Sequence, residues 1–416
     1  MYRTPLYPLF LAIFLKVFDF GEQAGDCVVF VQRLLGVGSG FILFLALRRA
    51  FPHKVALWSA VLFLLSPLQL YYESVIQTEA QFIFLLMLFL WIVARIVSEL
   101  KRAEVSRLSF VLLGVIAAIM SLSRPIGQLL LVLVLGCLLA RFGLSKRMFS
   151  AVGIALIIFF VGLFPWMRVN HKHYGFWGIS QDFGINLFHR ILDVDQTPLP
   201  KESSDLFVRA ATERAKLRGG TTYFRVYFNL IKEVRASHTK KQLTQLTVDK
   251  RMGGFAKEVL LSHPYLFIPN TVNNFWRLFV APRRSIHFCG GRNNIPYLCS
   301  NHDGLQTLVV RADPDRLPEW ARRWVHRLFR FLSLPEVFLM AFGIVGVGRS
   351  ITGQGWEHRL LYLIVIIYFT GLAALLNCPE DRFRLPIDGL IYAFSVYGVF
   401  IVGKWGYYIR WRQLRV

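Results

Sequence analysis

Four polar patches interrupt an otherwise apolar chain, and their residue types suit the handling of a phosphate and a proton. The first is the turn carrying Tyr72, Glu73 and Glu79, set between the apolar runs 55–70 and 80–97. A carboxylate in a hydrated cleft at the edge of a membrane can serve as a general base. The second is Arg124, set between two further apolar runs. The third follows another such run and holds Trp166, Arg168 and Asn170; the fourth is the compact loop 377–386 with Glu380, Asp381, Arg382 and Arg384. Arginines grip phosphate through paired N–H donors and stabilise charge on a departing phosphate. Gathered on one rim, these groups suit a lipid phosphate whose tail stays in the bilayer while its head projects outward.

Each patch also has a plainer reading. Thr78-Glu79-Ala80-Gln81 fits a capping box, with Thr78 as N-cap and Gln81 three residues on, which would set Glu79 at the positive end of a helix dipole. Arg124 fits an arginine snorkelling to the interface. Trp166 fits the aromatic belt of a membrane protein, and Arg168 and Lys172 fit solvated cations beside it.

These side chains must be held by helices. Of 416 residues, 55% are hydrophobic and 15% aromatic, with a mean hydropathy of +0.47, which describes an all-α polytopic membrane protein. About 20 apolar residues span a bilayer core. Nine spans are expected, at about 28–47, 55–71, 80–97, 108–123, 126–140, 149–166, 334–349, 360–377 and 387–403. The shorter run 7–20 fits an interfacial or re-entrant helix, and Arg3 before it does not make a signal peptide, since Lys16 and Asp19 follow. The short loops on one side hold 16 Lys and Arg, against 3 on the other. The positive-inside rule makes the richer side cytoplasmic. All four polar patches then face outward from the cytoplasmic membrane.

Three parts follow: a membrane bundle over 1–166, an extracytoplasmic domain of mixed structure over 167–333, and membrane spans with a cytoplasmic tail over 334–416. The net charge of +23 lies largely in loops flanking apolar runs, which points to membrane lipids as partners and not to nucleic acid. The middle segment alone carries 26 Lys and Arg against 13 Asp and Glu. Within it, Cys289 and Cys299 stand ten positions apart in a polar loop and suit a local disulfide outside the cell. The chain holds no Walker loop, dinucleotide fingerprint, hydrolase elbow or HExxH pair.

The polar patches, taken in order, resemble a family. Arg3-Thr4-Pro5-Leu6-Tyr7-Pro8-Leu9-Phe10-Leu11-Ala12 is similar to the Arg-x-Pro-x-Tyr-Pro run of GT-C-type membrane glycosyltransferases that use polyprenyl-phosphate sugars, relatives of the aminoarabinose transferase and the protein mannosyltransferases. The Tyr-Tyr-Glu turn, Ser123-Arg124-Pro125, the Pro-Trp-x-Arg-x-Asn run at 165–170 and the Glu-Asp-Arg-Phe-Arg-Leu-Pro run at 380–386 continue the match. The resemblance implies a GT-C-like helical bundle that transfers a sugar, with inversion, from a polyprenyl-phosphate donor to an extracytoplasmic lipid, glycan or protein acceptor. It carries over Arg3, Tyr72, Glu73, Glu79, Arg124, Trp166, Arg168, Asn170, Glu380, Asp381, Arg382 and Arg384 as donor- and acceptor-binding residues. No cofactor is called for by any motif, and a divalent metal is the one group the resemblance leaves open. The family's catalytic acid lies in a loop before the Arg-x-Pro-x-Tyr-Pro run, upstream of Met1. Among the residues present, Glu79 is the best catalytic candidate.

That gap makes a non-catalytic scaffold in envelope glycan assembly the second expectation. An exporter or ligase would need charged residues lining a path at mid-span, and the apolar runs hold almost none.

Overall fold

The computed structural model describes all residues except 1–3, 19–21, 201, 218–221, 237–243, 281–286, 291–295, 300–341, 351–354, 377–380 and 414–416. The chain forms two compact units. One is built on Leu163–Leu278 with Thr370–Glu380, the other on Pro5–Gly162, Phe279–Phe369 and Asp381–Val416.

The larger unit is a helical membrane bundle. Its described helices are α1 (Leu6–Phe18), α2 (Glu22–Leu47), α3 (His53–Leu64), α4 (Pro67–Ser74), α5 (Glu79–Lys101), α6 (Arg107–Ser123) and α7 (Gln128–Phe142). α8 (Lys146–Tyr174) follows and belongs to the smaller unit from Leu163 on; later in the chain come α14 (342–350), α15 (Trp356–Leu376), which belongs to the smaller unit from Thr370 on, and α16 (Asp381–Gln413). Helix is the form in which an apolar segment satisfies its own backbone in lipid. Six described helices are long and apolar enough to cross a membrane, or seven if the bent pair α3–α4 counts as one span. α6, at 17 residues, and α1, at 13, are shorter apolar helices.

α5 is the central helix. Phe82, Ile83, Leu86, Met87, Phe89 and Leu90 are all buried, because α2 and α6 pack along its sides and α16 reaches it too. At the end of the bundle away from Glu79, Glu357 on α15 pairs with Lys101 (2.9 Å) and Arg141 (3.3 Å), pinning the ends of α5 and α7. Arg359 donates to the Ala50 carbonyl at 2.9 Å and the Ser350 carbonyl at 3.2 Å, satisfying acceptors where α2 and α14 run out.

Three sequence expectations are corrected. The run 55–71 is broken, not straight: α3 ends at Leu64, Ser66 is extended, and Pro67 starts α4 after a bend of 49°. Proline fits the first helical position but lacks the N–H that would continue α3. The stretch 381–386 is helix, not loop, with Pro386 inside the beginning of α16. The capping box at Thr78 is absent. Thr78 has helical backbone angles, its side chain makes no cap bond, and its hydroxyl lies 3.4 Å from Glu79 Oε2. Gln81 meets the Ser123 hydroxyl instead.

The smaller unit packs α9 (Phe183–His189), α10 (Leu206–Leu217), α11 (Thr222–Ala236) and α12 (Thr244–Ser262) around Phe188, Ile191, Val208, Val226, Leu230, Met252 and Phe255. α9 and α12 cross at Gly184 and Gly253, where a methyl on either glycine would collide with the other helix's backbone. The bare crossing lets Asp249 on α12 accept from the Ile185 N–H at 2.9 Å, satisfying a donor at the start of α9. α13 (Pro264–Val280) follows α12 almost directly. Beyond it, β1 (His287–Gly290) and β2 (Pro296–Cys299) pair antiparallel, with Cys289 opposite Tyr297 and Cys299 opposite His287. The side chains of Cys289 and Cys299, and with them the expected disulfide, lie outside the described residues.

Candidate functional site

The site is built where antiparallel helices return to the same end of the bundle. α5 leaves from Glu79 and α6 comes back to Ser123, so residues far apart in sequence meet. Arg124, extended at the end of α6, reaches across to Glu79 with 3.3 Å between Nη1 and Oε1. The acid is the deeper partner: its side chain is 5% exposed, against 17% for the arginine. The guanidinium lies over the ring of Phe82 at 5.5 Å and that of Phe383 at 5.9 Å. A carboxylate and two aromatic faces thus fix one cation at the rim of the bundle.

Beside this pair, Tyr7 on α1 donates to Gln32 Oε1 on α2 at 2.8 Å. Gln32 in turn donates to the carbonyls of Glu73 (3.1 Å) and Val75 (2.8 Å). This relay ties the turn after α4 to two helices. Burial, and after it the charge of Glu79, pushes the Tyr7 phenol far above its ordinary range, so Tyr7 acts here as a neutral donor. Gln69 donates to Glu73 Oε1 at 2.7 Å, and the Glu73 carboxylate rests on Gly36 of α2. Tyr72 is buried and meets Tyr71 edge to face.

The sequence-expected residues therefore divide. Glu73, Glu79, Arg124 and Tyr72 gather in the larger unit around the start of α5 and the end of α4. Arg384 is buried and paired with Asp388 at 2.8 Å, one turn along α16. Trp166 is half-buried and donates from its indole N–H to the Ile179 carbonyl at 3.0 Å, and Asn170 donates to Gly178 at 2.7 Å. Both hold the chain that folds back after Gly175, whose positive φ ends α8. Arg168 is exposed; two positions from both, it sits on another face of the helix. Arg3 and Glu380 lie outside the described residues, as do the side chains of Asp381 and Arg382.

Sequence reasoning did not single out Gln32 or Gly36, since a lone glutamine and a lone glycine in an apolar run carry no spacing signal. Tyr7 stands in the Arg-x-Pro-x-Tyr-Pro run, but only the bond to Gln32 ties it to this turn. Among the described residues, no three His, Cys, Asp or Glu side chains converge as a metal-binding set.

Residues 2–166 match the family model of the dolichyl-phosphate-mannose-protein mannosyltransferases. No curated protein sequence matches the chain. Two crystal structures of ArnT from Cupriavidus metallidurans are similar over 95% of this chain in the apo state and 97% bound to undecaprenyl phosphate, each at 14% identity. Their TM-scores are 0.32 and 0.33, and the chain spans 66% and 68% of their lengths. Residues 2–166, which hold the Glu79–Arg124 pair, are thus similar to the dolichyl-phosphate-mannose-protein mannosyltransferases.

Proposed function

We propose that the chain transfers a sugar from a polyprenyl-phosphate donor to an acceptor on the outer side of the cytoplasmic membrane, with inversion. The observation that carries this reading is the Glu79–Arg124 pair, a cation held at the bundle's rim inside the part of the chain that matches the mannosyltransferase family. A guanidinium steered by a carboxylate suits a phosphate that must be gripped and then released as a leaving group. Glu79 holds Arg124 and walls the donor site. The relay from Tyr7 through Gln32 keeps the Glu73–Val75 turn in place beside it. The orientation that puts this rim outside rests on the Lys and Arg bias of the short loops.

The test is donor-lipid binding by the full chain in nanodiscs, with polyprenyl phosphate as the probe. Arg124→Ala should weaken binding by about 10- to 100-fold, the loss expected for one charge-assisted contact of ~1.5–3 kcal/mol. An unchanged affinity in the folded variant rejects the assignment. Failure of the unmodified chain to bind polyprenyl phosphate rejects the reading as a whole.

A further inference from the structure

α13 buries polar groups while leaving a stripe of large apolar side chains exposed. Its inward side is mixed: Leu278 is buried, and beside it buried Asn274 donates to Asp195 Oδ1 at 3.4 Å and Thr271 Oγ1 accepts from Arg190 Nη2 at 3.4 Å. Arg190 is fully buried, paired with Asp195 and stacked over Phe267. The outward side is apolar. Tyr265, Ile268, Val272 and Trp276 recur at helical spacing and are 67%, 69%, 52% and 58% exposed, and Leu261 at the end of α12 extends the stripe. A helix facing water presents charged and polar residues on its outward side.

Arg190 also says where this stripe lies. Its Nε donates to the Ala374 carbonyl at 3.1 Å, and Ala374 sits in the last turn of α15, one of the helices long and apolar enough to cross a membrane. One guanidinium thus touches both α13 and the end of a span, which sets the middle of α13 at the depth where α15 leaves the bilayer. α13 does not itself read as a span, since Asn270, Asn273 and Asn274 stand at its centre. Tyr265 and Trp276, at opposite ends of the stripe, are the residue types that settle at the water–lipid boundary. The segment 167–333, with twice as many basic as acidic residues, adds a charge that complements anionic lipid.

We infer that α13 is a membrane-surface helix, with Tyr265, Ile268, Val272 and Trp276 inserted into the lipid interface and the Arg190–Asp195 pair anchoring it from beneath. The occupant of the bare face is phospholipid. This goes beyond glycosyl transfer and does not depend on it.

The experiment places spin labels through Ile268→Cys, Val272→Cys and Asn273→Cys, one at a time, in full-length protein lacking its five native cysteines. The protein is reconstituted in vesicles of phosphatidylethanolamine and phosphatidylglycerol. Labels at 268 and 272 should collide more with oxygen than with a water-soluble nickel chelate, and the label at 273 should show the reverse. High nickel access at 268 and 272 would overturn the inference, and so would low access to both probes, which means protein covers the face. Trp276→Phe on the native-cysteine chain gives an independent reading. It should lower the fraction of fluorescence quenched by interfacially brominated lipid, and an unchanged fraction counts against insertion.

Discussion

Arg124 Nη1 lies 3.3 Å from Glu79 Oε1, an ion pair between residues 45 positions apart that closes one end of the α5–α6 hairpin. Breaking such a pair from one side strands the other charge in a poorly hydrated place. Glu79→Leu should therefore destabilise the protein by about 2 kcal/mol, below the ~3–5 kcal/mol of fully buried pairs because Arg124 keeps some exposure. The double variant Glu79→Leu with Arg124→Met should recover most of the loss. Thermal unfolding in detergent checks both, and a double variant worse than the single would show that the pair is not the issue.

The Glu73 carboxylate lies where a side chain on Gly36 would be. Gly36→Ala should push Glu73 aside, loosen the Gln69–Glu73 bond and cost roughly 1–3 kcal/mol. Adding Glu73→Ala should then relieve the crowding, so the two changes combine to less than their sum. Strict additivity in a melting series would refute the contact.

At the α9–α12 crossing, Gly253→Ala should cost about 1–3 kcal/mol, because backbone and not a flexible side chain stands in the way. Gly254→Ala is the matched control. Nothing lies within 4 Å of an added methyl there, so it should be neutral or stabilise by up to ~1 kcal/mol through helix propensity. Limited proteolysis of the full chain would read both, and equal effects at 253 and 254 would contradict the crossing.

Two carboxylates in the smaller unit should give opposite pH dependences. Burial works against ionised Asp205, but the hydrogen bonds from Arg251 and the Val208 N–H outweigh it and hold its carboxyl below the ordinary 3.8. Its stabilisation is complete above about pH 4 and disappears as pH falls through the lowered value. Asp249 is the reverse: burial raises it, and the Ile185 and Gly184 N–H groups only partly compensate. Its contribution is complete below about pH 4 and is lost as pH rises through the raised value. Asp205→Asn should thus weaken the protein at neutral pH. Asp249→Asn, which still accepts from Ile185, should leave it unchanged or more stable there. Unfolding midpoints across pH 3–8 decide, and matching profiles for the two variants would reject the assignment.

The membrane class, most helix positions and the Arg124-Pro125 break were legible in the residues, because a bilayer demands long apolar helices and proline interrupts them at a readable place. The order of the polar patches was legible too, and with it the resemblance that the match over residues 2–166 bears out. What each polar side chain faces was decided by packing. Glu79 read as an acid at the positive end of a helix dipole, inside a Thr78–Gln81 capping box, until the return of α6 set Arg124 beside it. Arg384 stood in the sequence as one of four charges in a short polar stretch, and it is the helix beginning at Asp381 that brings Asp388 one turn along beside it. Local spacing shows which residues can share a helix face, but only the crossing of distant helices chooses their partners. The cation at the rim is therefore a product of tertiary structure: the sequence supplies Glu79 and Arg124, and the α5–α6 hairpin makes them a pair.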